Sequence, residues 1–283
     1  MKIIVTGGNG QLGNCIRKIS KTYPNIEFFF YSSSELDITN KLNVEEVFRQ
    51  IQPKYCINAA AYTAVDQAEK EPEKAMAINE IGVGNLASVC KHFGTVLIHI
   101  STDYVFDGNT NIPYDENAVT APIGVYGKSK LLGEQLATKE NPETIIIRTS
   151  WLYSEFNKNF VNTMLNLFQQ KEELNIVNDQ FGQPTNANNL AEAIMTIIMS
   201  NNKKYGVFHF SNFPETTWYQ FAEKIKEITN SKIILNPITT DQYPTPAKRP
   251  FRSTFNLEKI QNVYGVVPEN WTESLEKCLK HIQ

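Results

Sequence analysis

Cysteine is scarce in this 283-residue chain. Cys15, Cys56, Cys90 and Cys278 stand far apart, with neither metal-ligand spacing nor the density of a secreted disulfide framework. A small extracellular disulfide scaffold is excluded. His92, His99, His209 and His281 are equally isolated, so no metal site is expected, and His99, inside an apolar run, reads as a satisfied core residue. Charge of one sign is also lacking. The 27 Lys and Arg are nearly matched by 30 Asp and Glu, for a formal charge of −3 and a pI near 5.9. The basic excess of a nucleic-acid or membrane-surface binder is absent. Long hydrophobic runs are missing as well. Met1-Lys2-Ile3-Ile4-Val5 reaches glycine at once, without a signal-peptide stretch. The most apolar later run, 190–199, is broken by Glu192 and is about half of the roughly 20 residues a spanning helix needs. A soluble, cytoplasmic protein is expected.

What is present is an ordinary globular composition, 41% hydrophobic and 20% charged, long enough to bury a sizeable core. Short runs rich in β-branched and aromatic residues occupy 3–6, 26–31, 55–58, 96–100 and 144–148. Between them apolar residues recur at helical spacing, as in Val44, Val47, Phe48 and Ile51, or in Ala75, Met76, Asn79, Val83 and Leu86 after Pro72. Strand and helix alternating in this way predict a doubly wound α/β fold around a parallel sheet. The second half is less regular. Helices are predicted over 157–170, 187–199 and 217–229, with a strand over 205–210. Trp218, Phe221 and Ile225 form a stripe that reads as core. Residues 1–150 are thus expected to form a dinucleotide-binding domain, completed by segments near 174–200. Residues 151–283 would mainly form a smaller, mixed α/β substrate lobe. The charged run from Glu69 to Lys74 reads as a solvated helix start.

The first strand runs into Gly7-Gly8-Asn9-Gly10-Gln11-Leu12-Gly13. A dinucleotide site needs glycine here for a tight turn, for close approach of backbone to a pyrophosphate, and for close packing of helix on strand. A helix starting near Gln11 would aim its free N–H groups at the phosphates. Gly7, Gly10, Gln11, Leu12 and Gly13 are therefore candidate cofactor contacts. The end of the second strand, Tyr31-Ser32-Ser33-Ser34, holds neither the acid that grips NAD ribose nor an arginine. Serine hydroxyls suit a 2′-phosphate or a plain turn, so NADPH is favoured with NADH the alternative.

Tyr126 and Lys130 lie four apart, on one face of a predicted helix. A chain with 12 tyrosines produces such pairs by chance, so the weight comes from their company. Ser101-Thr102-Asp103-Tyr104 follows the strand over 96–100, where open α/β sheets bind ligands. Together these residues supply what reduction of a ketone by a nicotinamide requires. A tyrosine, with a pKa ordinarily near ~10, gives the carbonyl oxygen its proton; a neighbouring ammonium and the oxidised nicotinamide would lower that pKa. Thr102 would donate a hydrogen bond to the developing alkoxide.

These motifs resemble the extended short-chain dehydrogenase/reductase superfamily, whose fold is of the Rossmann type, and within it the dTDP-4-dehydrorhamnose reductase family. The resemblance spans nearly the whole chain. It includes the segment from Asn58 to Asp66, Ser101 to Gly108, Tyr126 to Glu134, Arg148-Thr149-Ser150-Trp151, Asp179 to Thr185, and Arg249-Pro250. It implies that Gly10, Gln11 and Leu12 touch the pyrophosphate, that Asp37 and Ile38 lie by the adenine, and that Ala61, Tyr62 and Thr63 line the ribose and nicotinamide. Thr102, Tyr126 and Lys130 would be catalytic. Val65, Thr102, Asp103, Tyr104 and Trp151 would contact a sugar nucleotide, with Arg249 either a partner of its diphosphate or a surface charge. Sugar-nucleotide dehydratases of the superfamily carry Thr-Asp-Glu at the strand end; Tyr104 removes that carboxylate and leaves simple ketone reduction. The implied reaction converts dTDP-4-dehydro-β-L-rhamnose to dTDP-L-rhamnose, at the end of a route to cell-surface polysaccharides. A magnesium ion is implied only by the family, and a homodimer has no one-dimensional signature. Two alternatives stay open: another sugar-nucleotide reductase or epimerase, and a non-catalytic NADP-binding subunit of the kind that regulates methionine adenosyltransferase.

Overall fold

A computed structural model describes residues 1–282. Six parallel strands form the central sheet: β1 (Lys2–Thr6), β2 (Glu27–Tyr31), β3 (Tyr55–Asn58), β4 (Val96–Thr102), β5 (Thr144–Thr149) and β6 (Gly206–His209). Their order is β6-β5-β4-β3-β1-β2. The chain leaves β1 toward β2 and returns on the other side as β3, so a topological switch point lies between β1 and β3. The loops that follow those two strands diverge there and open a crevice.

Alternation along the strands explains the two covered faces. Ile3, Val5, Ile57 and Ile98 join a core with Leu12 and Ile16 of helix α1 (Gln11–Ser20) and with Leu190 and Ile194 of the helix Ala187–Met199. Ile4, Cys56 and Leu97 point the other way, against Val44 and Phe48 of Lys41–Ile51 and Val83 and Leu86 of Gly82–Phe93. The doubly wound parallel sheet expected from the periodicities is therefore present, with edges within a few residues of those read from sequence. A separate core, built from Val161, Met164, Phe221, Ile225, Trp271 and Leu275, holds the C-terminal lobe together. There Glu173–Val177 pairs with Ile234–Ile238 in a two-stranded sheet of its own. No helix among the described residues is long and apolar enough to cross a membrane.

One predicted helix is interrupted. The stretch after Pro72 runs as Pro72–Met76, then a π-helical turn Ala77–Ile81, then Gly82–Phe93. The extra residue per turn presents Asn79, a polar member of the apolar stripe, to a buried loop; such bulges often lie beside functional sites. Asn79 Oδ1 accepts from the Tyr62 N–H at 2.9 Å, and its Nδ2 donates to the Tyr62 carbonyl at 3.0 Å. The side chain thus stands in for a strand partner and fixes the loop that follows β3.

Candidate active site

A cleft of about 510 Å³ opens at the carboxyl ends of the strands. Its floor begins with the glycine loop. Gly7 takes φ +66°, and a Cβ there would meet the Ala59 and Ala60 backbone at 2.7 Å; a Cβ on Gly13 would sit 2.4 Å from the Gly7 carbonyl. Neither position admits a side chain, which is how the turn and the packing of α1 constrain the sequence. Gly10 caps α1 without a side chain, so the N–H groups at the start of that helix are free to meet an anion. The residues present fit a dinucleotide pyrophosphate.

The structure brings Gly10, Gln11, Leu12, Ala61, Thr63, Val65, Thr102, Asp103, Tyr104, Tyr126, Lys130 and Trp151 to this one cleft. Other residues named from the sequence lie apart from it. Asp37 caps its own turn through Thr39 at 2.8 and 2.9 Å, and Ile38 is buried in the core beneath Gly82. Tyr62 turns its ring away and donates its hydroxyl to Glu71 at 2.9 Å. Arg249 is clamped on Asp66 by two bonds of 2.9 and 2.8 Å and borders a second, more apolar cavity with Phe160, Trp218 and Tyr243. It is not a free surface charge: paired with Asp66, its guanidinium lies near enough to Tyr104 of the cleft for their charges to interact.

The helix Val125–Glu140 carries the Tyr–Lys pair into place. Its approach depends on Gly127, where a Cβ would fall 2.1 Å from the Tyr104 carbonyl. Its first turn is capped by Glu69, whose Oε1 accepts from the Val125 N–H at 2.8 Å. The charged run from Glu69 is therefore not simply a solvated helix start. One carboxylate caps the helix that carries Tyr126 and Lys130, as its free N–H groups favour. The ring of Tyr126 meets Tyr104 edge to face, 5.4 Å between centroids. Two turns along, Glu134 receives Arg148 of β5 in a buried bidentate pair at 2.9 and 2.7 Å, which fixes the helix against the sheet.

Charge in the cluster departs from the simple picture. Burial pushes the Tyr126 phenol up to about 12, helped by the Asp103 charge and opposed by Thr102. Lys130, whose Nζ donates to the Ile100 carbonyl at 2.6 Å, is not among the groups that shift the phenol. Burial also brings Lys130 down to about 8, against the pull of Glu134. Asp103, buried with one oxygen unpartnered, rises to about 6. Thr102 Oγ1 donates to Asp103 Oδ1 at 3.0 Å, so its single proton is committed there until the hydroxyl turns. Among the described residues no group of three or more His, Cys, Asp and Glu side chains converges as metal ligands.

Several contributors were missed in the sequence. Arg17, four positions after Gly13, lies 4.1 Å over the ring of Phe30 and reaches the Gly8 carbonyl, beside the end of β2. Its signal was the spacing from Gly13 on an exposed helix face. Gln11 Oε1 accepts from Ser154 at 3.1 Å and from Asn159 at 3.0 Å, and Asn157 donates to the Asn9 carbonyl at 2.9 Å, so a loop of the second lobe closes over the glycine turn. Trp218, read as core, stacks on Trp151 with centroids 3.6 Å apart.

Comparison with known proteins agrees with this geometry. The whole chain, residues 1–283, matches the family described as RmlD substrate binding domain. It is 40% identical over 285 residues to dTDP-4-dehydrorhamnose reductase of Aggregatibacter actinomycetemcomitans, covering 97% of each chain. A crystal structure of a dTDP-4-dehydrorhamnose reductase from Clostridium acetobutylicum superposes with a TM-score of 0.96 at 40% identity, over 100% of both chains. The dTDP-4-dehydrorhamnose reductase of Bacillus anthracis in complex with NADP gives 0.95 at 38% identity, over 99% of both. With its whole length matched and its strand-end cleft in place, the chain belongs to the RmlD family of dTDP-4-dehydrorhamnose reductases.

Proposed function

We propose that this protein reduces the C4 ketone of dTDP-4-dehydro-β-L-rhamnose to dTDP-L-rhamnose, using NADPH in preference to NADH. The observation that carries the reading is the single cleft in which the glycine loop, Thr102, Tyr126 and Lys130 meet, in a chain of this family. Gly10, Gln11 and Leu12 would hold the coenzyme pyrophosphate through backbone N–H groups. Arg17, over the ring of Phe30 near the end of β2, suits a 2′-phosphate, and the Bacillus anthracis relative is solved in complex with NADP. When bound, the dihydronicotinamide supplies the hydride.

The side chains do the rest. Tyr126 keeps its proton at neutral pH because burial raises its pKa. An alkoxide is a stronger base than a phenolate, so the proton moves from Tyr126 to the substrate oxygen only as hydride arrives at C4. Thr102, turned from Asp103, would donate to that oxygen. Val65, Tyr104 and Trp151 would hold the sugar, with the Trp151 ring fixed by Trp218. Tyr104 stands where the sugar-nucleotide dehydratases carry glutamate, so that carboxylate is missing and reduction is favoured over elimination.

The test supplies dTDP-4-dehydro-β-L-rhamnose, made enzymatically upstream, with NADPH or NADH, and follows loss of reduced-nicotinamide absorbance. Oxidation matched mole for mole by dTDP-L-rhamnose is expected, faster with NADPH at limiting coenzyme. NADPH binding without oxidation would overturn it in favour of another sugar-nucleotide substrate or the non-catalytic reading.

A further inference from the structure

Behind Lys130 runs a line of buried polar side chains that the proposed reaction does not use. Strand pairing sets Thr6 on β1 opposite Asn58 on β3, and Asn58 opposite His99 on β4. All three are buried. Thr6 Oγ1 donates to Asn58 Oδ1 at 2.6 Å, and the Ala60 N–H donates to the same oxygen at 3.2 Å. A backbone N–H can only donate, so the Asn58 amide cannot be turned over: its oxygen faces Ala60 and its NH2 faces His99. Asn58 Nδ2 then donates to His99 Nδ1, 3.0 Å away, and that nitrogen must carry a lone pair. Burial and the nearby Lys130 hold the imidazole pKa well below its ordinary value, so the ring is neutral. A neutral ring bare at Nδ1 carries its hydrogen on Nε2. That nitrogen lies 3.4 Å from Lys130 Nζ.

An ammonium has no lone pair to accept this N–H, whereas an amine has one. We propose that His99, held in the Nε2–H tautomer by Asn58, is a positioning residue that weakens the hold of Lys130 on its proton. The inference rests on the placing of Lys130 in the catalytic cluster. Other groups around Lys130 do not replace this effect. Glu134, one turn on, favours the ammonium, but its carboxylate is taken up by Arg148 of β5. Tyr126, one turn before, presents a neutral phenol, and Asp103 acts on that phenol. The Ile100 carbonyl accepts more strongly from ammonium than from amine, so it opposes the effect of His99. Burial sets the low Lys130 midpoint, and the identity of the His99 nitrogen that bears hydrogen moves it further, so a step that needs charged Lys130 fades as pH rises through that midpoint.

The test uses the full chain with 15N in the histidine rings and 13C at the lysine Cε positions, read by NMR without substrate. In the wild type His99 is expected to show hydrogen on Nε2 and none on Nδ1, its signals identified by their loss in His99→Gln. Lys130 should titrate about two units below the other lysines. In Asn58→Asp the carboxylate accepts from Nδ1, so the hydrogen should move there, the Nε2 lone pair should face Lys130, and the Lys130 midpoint should rise by about one unit or more. The alkaline limb of kcat for ketone reduction should rise with it while KM stays put. Thr6→Val, which leaves the Ala60 N–H on the amide, should change neither tautomer nor midpoint. Hydrogen on Nδ1 in the wild type overturns the inference, as does a midpoint that rises in Asn58→Asp without a change of tautomer. Expected spectra from a protein that reduces no sugar nucleotide would support the control of Lys130 and count against the proposed reaction alone.

Discussion

From the N-terminal lobe the cleft is bordered by the ends of paired strands; from the C-terminal lobe it is bordered by loops that side chains pin in place. Thr102 ends β4, which is paired on both sides, with β3 and β5, and its position follows from register and from cores on both faces. Trp151 instead takes φ +47°, a left-handed backbone that is uncommon for a bulky residue. It is kept there by its stack on Trp218 and by Gly182, where a Cβ would fall 2.5 Å from the indole. One wall is thus a consequence of backbone pairing and the other of a few side-chain contacts. The first should keep its shape when its chemistry is removed, while the second should lose both together.

The largest expected effect tests the first half of that contrast. Tyr126→Phe should lower turnover about 10²–10⁴-fold, equivalent to about 3–5 kcal/mol of barrier, with NADPH affinity and melting temperature nearly unchanged. Steady-state kinetics beside a coenzyme titration would show it, and a variant that also lost NADPH would break the idea of a rigid wall. Arg148→Met should cost about 3–5 kcal/mol in denaturant unfolding, because it strands the Glu134 carboxylate, which is only 4% exposed. Adding Glu134→Leu should recover most of that loss, since the penalty belongs to the unpaired charge and not to the sheet.

Asp103 gives a smaller effect with a defined pH window. Its folded pKa, near 6, lies above the ordinary 3.8, so the folded state holds the proton more tightly. The stability this contributes is complete below about pH 4 and is lost as pH rises through 6. Asp103→Asn should therefore gain about 2–3 kcal/mol over the wild type at pH 8 and almost nothing at pH 4, as thermal melts at the two pH values would reveal. Trp218→Leu is the smallest change in stability, about 0.5–1.5 kcal/mol for the lost stack. It should nevertheless raise KM for the sugar nucleotide more than Tyr126→Phe does, because it frees Trp151. An unchanged KM would show that the C-terminal wall is stiffer than its contacts suggest.

Much of the fold was legible along the chain because each strand of the central sheet is apolar on both faces, and each helix beside it repeats near 3.6 residues. The glycine turn was legible for a local reason as well: Gly7 and Gly13 are required by backbone within a few residues or on the next strand. Thr102, Tyr126 and Lys130 could be named because a strand end and a single helix turn place them. The same reasoning failed for Glu69, which looks like one more charge in a solvated run but caps a helix 56 positions away. It failed for Asn79, whose polar side chain in an apolar stripe marked a π-turn and not an ordinary helix. It also missed the state of the Tyr126 phenol, since burial is a property of everything packed around the ring.

Composition, glycine spacing and the Thr102, Tyr126 and Lys130 pattern determine the sheet, the glycine turn and the chemistry on offer, because each rests on covalent neighbours and short-range periodicity. Tertiary structure decides which of those groups carry protons, how Arg249 pairs with Asp66, how Trp151 is held, and which nitrogen of His99 faces Lys130. Those properties depend on exclusion of water and on hydrogen-bond partners drawn from distant segments, and neither is set until the chain has closed on itself.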